Sequence, residues 1–152
     1  MATALTEVEF HTGVPDRVGF ACRLLRKASR QGARVLVTAP EDVLAELDRA
    51  LWVFEEREFL PHVRMPGARA AVAARTPVWL AHEAALPGVA DAPRLVLNLG
   101  AEAPSDVAAL ERLIEVISDA PDDAEQGRRR WRAYKAAGLH IRHHAAAGAD
   151  RE

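Results

Sequence analysis

Glu7-Val8-Glu9-Phe10-His11 alternates polar with apolar side chains, the period-two pattern of a strand. Thr12-Gly13-Val14-Pro15-Asp16 then turns the chain. Beyond it Val18, Ala21, Leu24, Leu25 and Ala28 recur at helical spacing, with Gly32 as the stop. Val35-Leu36-Val37 shows no alternation. A short unbroken apolar run predicts a strand of a parallel sheet covered on both faces. A second helix follows Ala39-Pro40-Glu41-Asp42, with Val43, Leu44, Leu47, Leu51 and Trp52 along one side.

The middle of the chain is less regular. Phe59-Leu60-Pro61-His62 reads as a turn or an edge segment, because proline cannot donate to a sheet ladder. Val63 to Arg75 is rich in Gly, Ala, Arg and Pro and predicts a mobile loop. Val78-Trp79-Leu80 and Leu95-Val96-Leu97-Asn98-Leu99 predict two more strands. Pro104-Ser105-Asp106 predicts a helix start, with Ser105 accepting from the first free amides and Val107, Leu110, Leu113 and Ile114 as the apolar face. Val116-Ile117 would be the strand after it, and Leu139-His140-Ile141 a last short one. Strands alternating with helices predict a single α/β domain, an open and mainly parallel sheet with helices on both faces. That domain is placed at residues 5–144, and 145–152 is a small polar tail expected to fray.

Composition changes this picture little. The chain has 152 residues, enough for one domain with a real core, and a formal charge of −2. One cysteine, Cys22, excludes an internal disulfide framework and falls in an apolar helical pattern, where a small buried side chain is expected. No apolar run approaches the roughly 20 residues of a membrane span. The N-terminus lacks a basic segment followed by an apolar block, so a cytoplasmic protein is expected.

An α/β sheet invites a nucleotide, and the first strand–helix junction is the place to test for one. His11-Thr12-Gly13-Val14-Pro15-Asp16 has one glycine, a proline without an N–H, an acid and no following lysine. Phosphate binding needs several backbone amides to approach the anion, so no nucleotide cofactor is expected. His140-Ile141-Arg142-His143-His144 gathers three imidazoles, and His140 and His144 could share a metal on a helix. Arg142 lies among them and no acid or cysteine does, so a solvated or anion-facing cluster is expected in place of a metal site. His11 and His62 come with no evident acid partner. No nucleophile–base pair or carboxylate pair stands out, and no catalytic residue is assigned.

The chemistry-bearing stretch is Arg128-Arg129-Arg130-Trp131-Arg132-Ala133-Tyr134-Lys135-Ala136-Ala137-Gly138-Leu139, basic and aromatic with no acid, preceded by Asp119, Asp122, Asp123 and Glu125. On a helix Arg128, Arg132 and Lys135 recur at i, i+4 and i+7 and form one stripe, with Trp131 and Tyr134 beside it. Such a face suits a partner that is both anionic and apolar or planar. The candidates are an acidic peptide ending in an aromatic residue, or a single-stranded nucleic acid stacking on Trp131 and Tyr134. The plainer reading is a solvated helix whose cations complement its dipole.

Leu47-Asp48-Arg49-Ala50-Leu51-Trp52 followed by Phe59-Leu60-Pro61-His62 resembles the L-D-x-A-L-W…F-x-P-H signature of the chi subunits of bacterial DNA polymerase III holoenzyme. Arg128-x-Arg130-Trp131-Arg132-Ala133-Tyr134-Lys135-x-Ala137-Gly138 resembles that family's C-terminal basic-aromatic helix, and Gly32-Ala33-Arg34-Val35-Leu36-Val37 resembles its second strand. Order and spacing fit from about residue 5 to residue 144. The resemblance implies a Rossmann-like fold without a nucleotide site, in a non-catalytic clamp-loader accessory protein without cofactor or metal. It implies two partners. One is the acidic C-terminal tail of single-stranded DNA-binding protein, ending in proline and phenylalanine, held at Arg128, Trp131, Arg132, Lys135 and Gly138. The other is the psi subunit of the clamp loader, or an iron–sulfur helicase, held at a surface that includes Trp52, Phe59, Leu60 and Pro61. DNA would be reached only indirectly. Trp131 stands where the family has tyrosine and Arg132 where it has lysine. A lysine common just upstream has no counterpart at Ala124-Glu125-Gln126, which would weaken tail binding.

Overall fold

The computed structural model describes residues 4–53 and 59–145. Among them seven strands form one sheet in the order β3-β4-β2-β5-β6-β1-β7, every neighbouring pair parallel. The strands are β1 (Glu7–Val14), β2 (Val35–Thr38), β3 (His62–Arg64), β4 (Val78–Ala81), β5 (Leu95–Asn98), β6 (Arg112–Ser118) and β7 (His140–Ala145). The helices are α1 (Arg17–Arg30), α2 (Glu41–Val53), α3 (Ala70–Arg75) and α4 (Pro121–Ala136). No described helix is long and apolar enough to cross a membrane.

Two apolar layers sandwich the sheet. Val35 and Val37 pack with α1 and α2 on one face, while Leu36 joins Phe10, Trp79, Val96 and Tyr134 on the other. That two-sided burial is why β2 shows no polar alternation. Cys22 lies in the α1 layer, and burial pushes its thiol up to about 11, which keeps it protonated and inert.

Several expectations are corrected. Pro104 to Ile114 is not a helix: a 3-10 turn at Val107–Ala109 leads directly into β6 at Arg112. Leu113 and Ile117 face the α4 layer while Ile114 and Val116 face α1, so the apolar run has period two with both faces covered. No side chain caps the 3-10 turn, and Ser105 is exposed. The Val63–Arg75 loop contains the end of edge strand β3, paired with β4, and all of α3, whose Ala70-Ala71-Val72-Ala73-Ala74 run suits a helix. β1 continues through the predicted turn to Val14, and β7 runs from His140 to Ala145, longer than the short strand expected at Leu139–Ile141; the rest of the expected tail, 146–152, lies outside the described residues. Trp52 leaves the buried side of α2 and is 64% exposed.

At the first strand–helix junction the chain itself takes up one of the free amides of α1. Asp16 caps the helix by accepting from the Gly19 N–H at 2.9 Å. Asp16→Ala should therefore cost about 1 kcal/mol of stability, read as a lower urea midpoint with an unchanged slope.

Candidate functional site

The basic-aromatic segment is α4, and its placement depends on residues that do not face solvent. Pro121 opens the helix, where a missing N–H costs nothing. Asp123 fastens that end, accepting from the Ser118 N–H at 2.6 Å and pairing with Arg17 at 2.7 Å. Gly127 lies against β6, where an added Cβ would meet Ile117 at 2.8 Å, so only glycine lets the helix come this close.

The deeper anchor is Glu115, 0% exposed in the middle of β6. Arg130 Nε donates to Oε1 at 3.0 Å, and Oε2 accepts from the Tyr134 hydroxyl at 2.6 Å and from Asn98 Nδ2 at 3.0 Å. Thr38 on β2 donates to Asn98 Oδ1 at 3.1 Å, so the chain of bonds crosses the sheet. Burial pushes the Glu115 carboxyl up, and the Arg130 charge with the hydrogen bonds of Tyr134, Asn98 and Arg130 pulls against it. Arg130 and Tyr134 are therefore framework residues. Tyr134, read from the sequence as a possible stacking platform for nucleic acid, is only 2% exposed and unavailable for that.

The helix face that remains outside carries Arg128, Trp131 and Arg132. With Phe10, Thr12, Ile117 and His143 they line an open pocket of about 650 Å³ between α4 and the ends of β1, β6 and β7. Trp131 is a fixed wall. Its ring lies 4.9 Å from Phe10 and meets His143 edge to face at 5.1 Å. His143 is held in turn by Thr12 Oγ1 at 2.7 Å. Arg129 is taken up by Glu125 at 3.3 Å. Arg128 and Arg132 are exposed, and neither has an ion-pair partner among the described residues. Asp119 lines the pocket at the end where α4 begins.

The structure thus joins three of the five residues read as a tail site. Lys135 is exposed one turn further along the stripe, outside the pocket lining. Gly138, with φ +88, lies past the helix end and lines a separate depression with Thr6, Glu7 and His140. Phe10 and Ile117 carry no local mark of a site, and His143, read from the sequence only as part of a solvated or anion-facing cluster, belongs to the pocket wall. Gly127, a glycine inside a helical stretch, was the one available signal, since it marks a close backbone approach.

The second surface lies near the opposite edge of the sheet. Trp52 and Phe59 lie 4.9 Å apart, ring to ring, and Trp52 meets His62 at 5.5 Å. Phe59 is 50% exposed and Pro61 exposed, while Leu60 is buried in the α1–α2 core. His62 does have an acid partner, Asp48 at 2.8 Å, and its other ring nitrogen contacts the Leu60 carbonyl at 2.8 Å. Aspartate of L-D-x-A-L-W and histidine of F-x-P-H thus clasp one another. The charged stretch Glu55–Glu58 lies outside the described residues.

Residues 5–142 match the family model described as DNA polymerase III chi subunit, HolC. The chain is also 33% identical over 150 residues to the DNA polymerase III subunit chi of Pseudomonas aeruginosa, across 92% of this chain and 96% of that protein.

Tyr134→Phe removes one donor from a buried carboxylate and should lower stability by about 1.5–3 kcal/mol. Denaturant titration checks this, and a change below about 0.5 kcal/mol would show that the bond does not hold α4.

Proposed function

This chain belongs to the family of DNA polymerase III chi subunits, accessory proteins of DNA replication, and we propose that its α4 pocket receives the acidic C-terminal tail of single-stranded DNA-binding protein. The observation that carries this reading is an apolar slot with unpaired guanidinium groups on its rim. Phe10, Ile117 and Trp131 offer contact to an aromatic ring, and Arg128 and Arg132, one turn apart, reach a terminal carboxylate. A peptide ending in phenylalanine presents both groups on one residue.

Charge sets the direction of the rest of the tail. Asp119 and Asp122 lie where α4 begins, beside the Asp123–Arg17 pair, and repel an acidic chain, whereas Lys135 continues the cationic stripe toward the helix end. The acidic residues accordingly run toward Lys135. Lys135 acts as a screened, longer-range attraction, and Gly138 as the helix terminus that the chain passes.

The second half of the proposal is a link to the clamp loader through psi, or to a repair helicase, at Trp52, Phe59 and Pro61, with Leu60 anchoring the segment from inside. An exposed aromatic pair beside a proline is a fitting hot spot for a protein partner. The segment feeds edge strand β3, while the tail pocket adjoins β7 at the other edge. Six strand spacings separate the two edges, about 29 Å, so both partners have room at once. The protein then acts as a two-sided adaptor and needs no chemistry of its own. A single domain that ends with β7 belongs to the same reading.

Arg128→Ala and Arg132→Ala should each weaken tail-peptide binding by about tenfold or more, with unchanged melting. Removing the peptide's terminal phenylalanine should do comparable damage. Arg142→Ala should matter much less, because Arg142, on β7, pairs with Glu7 of β1. Equal losses from all three arginine changes in calorimetry would show a diffuse cationic field instead of a pocket. Phe59→Asp should abolish capture of psi or the helicase and leave both tail binding and stability intact; unfolding would place Phe59 in the core and end the claim for that surface.

A further inference from the structure

The β1–β7 pairing sets His11 directly opposite His144 and Glu9 opposite Arg142. Residues two apart on a strand share a face, so Glu9, His11 and His144 all lie on the α1 side, away from the Trp131 pocket. The two imidazoles stack at 4.7 Å with 15° between their planes. One ligand atom from each of Glu9, His11 and His144 can be chosen so that all lie within 4.8 Å of one another. We propose that these three side chains form a binding site for a divalent transition-metal ion of the zinc class.

The donor set decides the class of ion. Two imidazoles with one carboxylate suit zinc, copper or nickel, whereas magnesium and calcium call for oxygen ligands throughout. The His11 ring is held in place between Phe20 at 5.0 Å and His144 at 4.7 Å, so a nitrogen lone pair can be presented to an ion beside them. Glu9 is already held by Arg112, which donates from Nε at 2.7 Å and Nη2 at 3.1 Å. A carboxylate has about four lone-pair sites, so Arg112 leaves one on each oxygen and serves to orient the ligand.

Tetrahedral bonds of about 2.0 Å put ligand atoms roughly 3.3 Å apart, so the three donors must close by up to about 1.5 Å. His144 stands exposed on the outermost strand and is free to make that movement. Three protein ligands leave one position open. It faces a groove of about 620 Å³ lined by Arg23, Lys27 and Arg142, where water or a small anion would complete the shell. The histidine run of β7 is split by this arrangement. His143 points to the opposite face, against Thr12 and Trp131, and takes no part. A bound ion would tie the outer strand to β1 at the residue next to His143, which helps to build the wall of the Trp131 pocket.

The test uses the full, untagged chain and zinc chloride alone, followed by calorimetry, with cobalt(II) as a visible-absorption probe of coordination. One ion should bind with saturation and raise the melting temperature, reversibly on chelation. His11→Ala and His144→Ala should each weaken binding by about tenfold or more, and His143→Ala should leave it unchanged. Because His144 is exposed, His144→Ala keeps the fold and keeps the test decisive. Absence of saturable zinc binding would overturn the proposal. So would binding that survives both the His11 and the His144 change, or that is lost with His143.

Discussion

The structure depends on one buried carboxylate. Glu115 sits at the centre of the sheet and takes bonds from Arg130, Tyr134 and Asn98, and through Asn98 it is connected to Thr38. Four elements, β2, β5, β6 and α4, are thereby tied to one point. A buried ion pair adds little net stability against well-packed apolar side chains, but losing one partner leaves a charge in the interior at about 3–5 kcal/mol. Its value here is orientation. With Arg130 and Tyr134 drawn inward to Glu115, the rotation of α4 is set, and Arg128, Trp131 and Arg132 can only face the pocket.

The same constraint explains why arginines adjacent in sequence do different work. Arg129 pairs with Glu125 on the surface, Arg130 is consumed by the framework, and Arg128 and Arg132 stay available. Gly127 completes the arrangement by letting α4 sink onto Ile117, which becomes part of the pocket floor. At the far edge the Asp48–His62 clasp performs the equivalent task, holding the Phe59 segment against α2 so that Trp52 and Phe59 lie together on the surface. Two surfaces, each positioned by a buried or half-buried polar contact, are what the proposed adaptor role requires.

Much of this was legible in the chain. The unbroken run Val35–Val37 and the helical spacing from Val18 to Ala28 identify β2 and α1, because local pattern and burial agree there. The segment from Pro104 misled because Leu113 and Ile114 complete a helical spacing with Val107 and Leu110, although they belong to opposite faces of a strand. The stripe Arg128, Arg132 and Lys135 was visible from helical geometry, but whether Tyr134 or Trp131 faced outward was not, since the answer lies in Glu115, far away in sequence. Likewise His11 and His144 meet only through parallel register across 133 positions of separation, which no local pattern encodes.

The most direct test of the adaptor account is an isotope-filtered NMR experiment on this protein with a peptide of the single-stranded DNA-binding protein tail. The account predicts contacts between the peptide's terminal phenylalanine ring and the side chains of Trp131, Phe10 and Ile117. It also predicts that the resonances of Trp52 and Phe59 stay unmoved. Contacts of that ring with the Trp52–Phe59 surface, or no contact with Trp131 at saturation, would contradict it.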